Sequence, residues 1–352
     1  MEFVAVILIV FALYLLETHI YLKYWSKGLE YRCYFTDSEC VEGDETELVE
    51  EITNRKRLPI PWLKSEFSVP APIDIIGAQS VVTDKTRFFS GYFFLRGCGR
   101  ITRRRRVKLL KRGVYGIESI VLVASDVLGT LSLSMPVNKS FFDGKITVLP
   151  LPSQIDEALM LSEGSGGDEV RRFILPDPFL IDGVREYEYG DNARFINTAA
   201  TATQGRLMVS KYSAAAIEKV IIVLFTYGLS ESDAEECVKT AAAVCDELNG
   251  RYSEFALAFE VDGRVFRSEY GASREHGLDM MRLLAGADVS SPLPPERLLP
   301  EIIAGCNAAP DTMLCITAVG GSKGNYDKAL EIVQECSERG ISAAAVMGRS
   351  SR

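Results

Sequence analysis

Histidine is almost absent: His19 and His276 are the only two in 352 residues. A Ser/His/Asp or Cys/His arrangement, or a His-rich metal site, would have to use one of them, which weakens most hydrolase and zinc-enzyme readings. None of the eight cysteines belongs to a C-x-x-C pair, so neither a zinc ribbon nor a redox motif is available. The glycines of Glu163-Gly164-Ser165-Gly166-Gly167-Asp168 lack the G-x-x-x-x-G-K-[ST] context, and no phosphate cradle follows from them. Basic charge is also short, with 39 Lys and Arg against 48 Asp and Glu. The resulting net charge of −9 argues against nucleic acid as the main partner, because binding along a phosphate backbone needs a basic face. The hydrophobic share, 47%, is that of a globular chain, and the length leaves room for about two folded domains.

The cysteines (Cys33, Cys40, Cys98, Cys237, Cys245, Cys306, Cys315 and Cys336) are scattered, several of them inside apolar runs such as Met313-Leu314-Cys315-Ile316. A thiol there packs as a small hydrophobe, so they read as reduced core residues of a cytosolic compartment. From Phe3 to Leu16 every residue is apolar or aromatic, and the run resumes at Ile20-Tyr21-Leu22 after Glu17-Thr18-His19. A spanning helix wants about 20 such residues, which residues 3–22 supply if Glu17 and His19 lie near the headgroups or face a partner helix. Tyr21, Tyr24 and Trp25 suit an interfacial aromatic belt. With Glu2 as the only early charge and no small-residue cleavage site, segment 1–28 reads as a signal anchor. Lys23, Lys27 and Arg32 follow it, so the positive-inside rule predicts a single-pass protein of the cell membrane with its bulk in the cytoplasm.

Residues 29–135 carry short strand-like runs separated by Gly, Pro, Asp and Asn, the pattern of an antiparallel β-sandwich. Eight acidic residues and no basic one fall between Asp37 and Glu51, whereas Arg100 to Arg112 holds eight basic residues. Pairing of these two stretches on neighbouring strands is the expected outcome. The alternative is a lipid-binding surface in which Arg103, Arg104, Arg105, Arg106 and Lys108 face anionic headgroups. Residues 136–218 read as a connector that opens with a strand at Lys145–Leu149. It contains the run from Gly183 to Asn197, Gly-Val-Arg-Glu-Tyr-Glu-Tyr-Gly-Asp-Asn-Ala-Arg-Phe-Ile-Asn. Arg185 and Arg194 alternate there with Glu186, Glu188 and Asp191, and bidentate arginine–carboxylate pairs would make the segment a docking or domain-locking element.

Residues 219–352 alternate strand and helix in Rossmann-like α/β order, beginning with the continuous apolar run Lys219–Thr226 and a helix over Asp233–Leu248 that Ser232 would cap. A further helix is expected over Pro295–Ala304. Ligand sites in such sheets lie at the carboxyl ends of strands, here Thr226-Tyr227-Gly228-Leu229-Ser230 and Gly320-Gly321-Ser322-Lys323-Gly324. Neither loop carries a carboxylate close to the strand end, and Lys323 opposes a hard cation. Lys323 with Gly320, Gly321 and Gly324 could hold a phosphate, which leaves a phosphate-handling enzyme as the alternative reading, although a tight turn with an exposed lysine is the simpler one.

The segment Gly183-Val184-Arg185-Glu186-Tyr187 with Gly190-Asp191 and Arg194-Phe195-Ile196-Asn197 resembles the domain of unknown function 58 proteins of bacteria and archaea. Val41-Glu42-Gly43-Asp44, Asn54, Pro59, Arg112-Gly113-Val114-Tyr115 and Ser125-Asp126-Val127-Leu128-Gly129 support the resemblance, which covers nearly the whole chain. It implies an α+β multidomain chain: an N-terminal membrane helix, an antiparallel β-sandwich and a C-terminal domain resembling von Willebrand factor A. It also implies a MoxR-type AAA+ ATPase as partner and no established enzymatic activity. Two departures carry consequences. The tryptophan and alanine–arginine pair that often follow the motif are replaced by Thr198-Ala199-Ala200-Thr201-Ala202-Thr203. The Asp-x-Ser-x-Ser of a metal-dependent adhesion site falls on Thr226, Gly228 and Ser230, where only the last serine matches. The expectation is therefore an adaptor or scaffold, in envelope-related or protein-complex assembly, with no metal, cofactor or catalytic residue.

Overall fold

The computed structural model describes residues 2–78, 80–83, 85–126, 129–142, 144–153, 181–187, 197–212, 219–250, 253–261, 264–289, 294, 300–302, 312–319, 323–339 and 341–348. The chain divides into two compact units, Met1–Leu151 and Pro152–Arg352.

The first unit opens with α1 (Glu2–Tyr24), an apolar helix that no glycine or proline interrupts. Phe3–Tyr24 is long and apolar enough to cross a membrane, with a mean hydropathy of 2.3. One stripe of its second half turns toward the sandwich at helical spacing: Tyr14, Glu17, Thr18 and Tyr21 are shielded, and Trp25 follows in the next turn. The Tyr21 hydroxyl donates to the Pro59 carbonyl at 2.9 Å, and the Tyr14 hydroxyl meets Thr130 Oγ1 at 3.2 Å. Tyr21 and Trp25 thus belong to the core of the unit as well as to the end of the apolar segment.

Strands β1 (Leu29–Phe35), β3 (Glu45–Asn54), β8 (Arg100–Leu109) and β5 (Ile73–Ile75) form one antiparallel sheet in that order. A second antiparallel sheet runs β11 (Ser132–Pro136), β10 (Ser119–Ser125), β4 (Ile60–Pro70), β7 (Thr86–Leu95), β6 (Ser80–Val82). Period-two alternation buries Leu48, Ile52, Val107 and Leu109 from the first sheet against Leu63, Phe67, Phe89, Phe93 and Leu122 from the second, which makes a β-sandwich. A small third sheet joins β2 (Glu39–Val41), β12 (Lys145–Leu149) and β9 (Gly113–Gly116). Because β12 pairs with both β2 and β9, residues 136–151 complete the sandwich unit; the expected boundary at residue 135 moves to 151.

In the second unit, β13 (Ile181–Glu186) pairs antiparallel with β14 (Met208–Tyr212), and α2 (Thr198–Gln204) lies between them in sequence. Asn197 caps α2, its Oδ1 accepting the Ala200 N–H at 2.9 Å, and Gly205 ends it with φ of 67°. A five-stranded sheet follows in the order β17 (Arg264–Arg267), β16 (Glu254–Val261), β15 (Lys219–Leu224), β18 (Thr312–Val319), β19 (Ser342–Gly348). All its pairings are parallel except that of β17 with β16. Alternate residues of β15 face opposite layers. Val220, Ile222 and Leu224 pack on α3 (Glu231–Gly250) and α4 (Arg274–Gly286), while Ile221 and Val223 pack on α5 (Lys323–Glu338). Burial from both sides is why the strand reads as an unbroken apolar run. The helix expected over Pro295–Ala304 lies largely outside the described residues.

Candidate functional site

The carboxyl end of β15 is the point where the apolar strand gives way to polar groups. Thr226 is buried, and Gly228 turns the chain with φ of 75°, a conformation that favours glycine. Ser230 Oγ accepts the Asp233 N–H at 3.2 Å and lies 2.8 Å from Asp233 Oδ2, so Ser230, rather than the expected Ser232, begins α3. The one serine that matches the adhesion-site pattern is therefore occupied as a helix cap. On neighbouring β18, Thr317 Oγ1 accepts the Phe225 N–H at 3.3 Å and donates to the Val223 carbonyl at 3.1 Å, locking the strand ends in register. Cys237 Sγ lies 3.6 Å from the Phe225 carbonyl, and burial pushes its thiol pKa well up, so it stays a neutral packing group.

Into this edge comes a group not anticipated from the sequence. Lys328 of α5 holds its Nζ 4.4 Å from the centroid of the Tyr227 ring and 3.9 Å from where a Cβ on Gly228 would sit. The ring stabilises the ammonium, and the glycine leaves it room. Lys323, five residues earlier, is the first residue of α5, and Gly320 and Gly321 lie outside the described residues. The signal for Lys328 was weak because its partner, Tyr227, lies about a hundred residues away in sequence.

His276 is committed to structure: its Nε2 is 2.8 Å from the Phe255 carbonyl, and its ring meets the Phe255 ring edge-on at 5.0 Å. Among the described residues, no three His, Cys, Asp or Glu side chains gather in a metal-binding group. All seven described cysteines are free thiols, five of them buried.

The run from Gly183 to Asn197 is described at its two ends. Arg185 stands on β13 opposite Val209, and Glu186 pairs with Arg206 at 3.4 Å across two exposed side chains. The Tyr187 N–H donates to the Leu207 carbonyl at 2.9 Å, and the Asn197 N–H donates to Met208 at 2.8 Å. Both ends of the motif are thus fastened to one stretch of backbone at the start of β14. Asp191 and Arg194 lie outside the described residues.

The acidic and basic stretches meet as β3 and β8. On the outer face Arg104 pairs with Glu47 at 3.1 Å, Arg106 with Glu45 at 3.8 Å and Arg100 with Glu51 at 2.7 Å. Alternation turns Arg103 and Arg105 inward. Arg105 Nε lies 3.1 Å from Oε2 of fully buried Glu50, whose Oε1 accepts the Tyr31 hydroxyl and Ser65 Oγ, each at 2.9 Å. Arg103 donates to the Tyr92 carbonyl at 2.6 Å and covers the Phe93 ring. Gly91 makes space for both guanidinium groups: a Cβ there would stand 2.4 and 2.5 Å from their nitrogens. All four arginines placed at a lipid surface in the alternative reading thus have partners within the sandwich.

No protein-family model and no curated protein matches the chain. Among solved structures it is similar to a non-cellulosomal cohesin from Archaeoglobus fulgidus, at 10% identity over 34% of this chain and 91% of that one, with a TM-score of 0.24. A type II cohesin domain from the cellulosome of Acetivibrio cellulolyticus is similar at 10% identity over 33% and 98%, with a TM-score of 0.23. The CARDB domain of a Pyrococcus furiosus protein is similar at 13% identity over 35% and 91%, with a TM-score of 0.22.

Proposed function

We propose that the chain is a membrane-anchored, non-catalytic adaptor of the domain of unknown function 58 type, whose α/β domain is von Willebrand A-like and binds its protein partner without a metal. The observation that carries this reading is the Lys328 ammonium over Tyr227 at the carboxyl edge of the sheet. In a metal-dependent site that edge presents a cation to an acidic side chain of the partner. Here Ser230 is spent on the cap of α3, and a lysine supplies the positive charge instead. The partner on this reading is a MoxR-type AAA+ ATPase that offers a carboxylate. Lys23, Lys27 and Arg32 after the apolar helix favour a cytoplasmic placement of both units in a single-pass protein of the cell membrane.

The test is capture from native lysate with the full chain in neutral detergent as bait, with magnesium or EDTA. The expected result is an AAA+ ATPase retained in both conditions by the parent and lost with Lys328→Glu. Capture that needs magnesium, together with calorimetric binding of magnesium to the bait alone, would overturn the metal-free reading.

A further inference from the structure

Basic side chains outside the arginine run of β8 gather around the foot of α1. Three connections are stitched together at that end of the sandwich. The Arg55 N–H donates to the Gly28 carbonyl at 2.8 Å, joining the β3–β4 loop to the turn after α1. The Cys98 N–H donates to the Lys56 carbonyl at 2.8 Å, and Asn54 Nδ2 donates to the carbonyls of Leu58 and Arg96, adding the β7–β8 turn. Lys56 Nζ donates to the Trp25 carbonyl at 2.5 Å and fixes the end of the apolar segment to the same loops.

These connections project Lys23, Lys27, Arg55, Arg57 and Arg96 as exposed side chains. Of these, Arg55 is paired with Glu30 at 2.8 Å, and the neighbouring Glu51 is paired with Arg100 at 2.7 Å. A chain with net charge −9 thus concentrates positive charge at the one end from which its apolar helix leaves. Aromatic side chains accompany it. Tyr24 is 40% exposed between Lys23 and Lys27, whose ammonium groups lie 5.5 and 5.0 Å from its ring. Trp62 and Phe94, 58% and 57% exposed, stand on the outer face of the second sheet beside the pair Ile60 and Leu95 at that same end. By contrast Arg104 and Arg106 lie four and six residues along β8 from Arg100, about 14 to 20 Å further from α1. That exceeds the screening distance of about 8 Å at physiological ionic strength.

We propose that this collar binds the headgroups of anionic lipids, with Lys23, Lys27, Arg57 and Arg96 contacting phosphate and Tyr24, Trp62 and Phe94 seated at headgroup level. Lipid is favoured over a soluble polyanion because the collar is continuous with the exposed apolar side chains of α1. The proposal rests on α1 being an anchor, and the test separates the two.

Full-length protein in neutral detergent would be titrated with phosphatidylglycerol or phosphatidylcholine in mixed micelles, and bound lipid counted by native mass spectrometry. The expected result is a salt-sensitive preference for phosphatidylglycerol. A Lys27→Gln/Arg57→Gln/Arg96→Gln variant should lose on the order of 100-fold in that affinity, since each basic residue near an anionic surface contributes about fivefold. Arg104→Gln/Arg106→Gln should keep it. Retention of the preference by the triple variant, or its loss in the β8 variant, would overturn the proposal. Should the triple variant melt early, Arg57→Glu alone is the second arm, and an unchanged preference there overturns it equally. Release of the full chain from membranes by alkaline carbonate marks failure of the anchor reading, whereas retention with no headgroup preference marks failure of the collar.

Discussion

Glu50, Arg112 and Asp126 are buried in the sandwich unit, whereas the buried polar side chains described in the α/β unit are all hydroxyls: Thr226, Thr240, Ser268, Thr312 and Thr317. The sandwich takes charge inside and must satisfy it there. Glu50 accepts from Tyr31 and Ser65 through Oε1, while its Oε2 faces the Arg105 guanidinium as an ion pair without a hydrogen bond, and Gly91 vacates the space that two guanidinium groups fill. The α/β sheet keeps charge at its rim, where Lys328 lies over the Tyr227 ring beside a glycine turn. The difference teaches that a dense run of charge, as in β8, is compatible with architecture, while a single well-placed ammonium at a strand end is better suited to recognition.

The sharpest way to break this comparison is Glu50→Ala, which strands Arg105 inside the sandwich. It should cost about 3–5 kcal/mol in urea unfolding of the full chain, and Arg105→Met in the same background should recover much of it. Lys328→Glu, at the rim, should shift unfolding by less than about 0.5 kcal/mol while abolishing partner capture. A collapse of stability there would make Lys328 a structural residue like Arg105. A pH series sharpens the same point at the foot of α1. Burial lowers the Lys56 pKa from 10.5 to about 8. Between these values the unfolded chain binds more protons than the folded one, so stability should rise as pH increases from about 8 to 10.5. Lys56→Met should flatten that rise; an unchanged slope would show that Lys56 is not its source. The smallest effect is expected from Arg104→Gln, which loses an exposed pair with Glu47 worth about 0.2–1 kcal/mol in thermal unfolding.

Much of the architecture was legible because burial leaves a periodic trace. Lys145–Leu149 was read as a strand with the bounds it has, and the acidic and basic stretches were expected to pair. Which arginines turn inward was not legible. That depends on the register of β3 against β8, and only the fold supplies Glu50 and Gly91 to receive Arg103 and Arg105. Helix α2 escaped notice because Thr-Ala-Ala-Thr-Ala-Thr has modest helix propensity and no apolar stripe; the Asn197 cap and Gly205 define it instead. The start of α3 was misplaced by two residues because Ser230 and Ser232 are equal candidates in sequence, and only the hydroxyl of Ser230 reaches the Asp233 N–H. Lys328 was missed for the reason that isolated functional residues usually are: its partner is remote, and nothing local distinguishes it from a solvated helix lysine.

The turn from β7 to β8 holds Cys98 with φ of 55°, between Gly97 and Gly99 and beside the loop that carries Arg55 and Arg57. Of the described thiols it alone is exposed. A thiol-reactive dye added to the folded wild-type chain should therefore mark this turn ahead of the buried cysteines. The protein carries its own attachment point for a reporter at the foot of its apolar helix, and distances from that point to labelled lipid could be followed without adding a single residue.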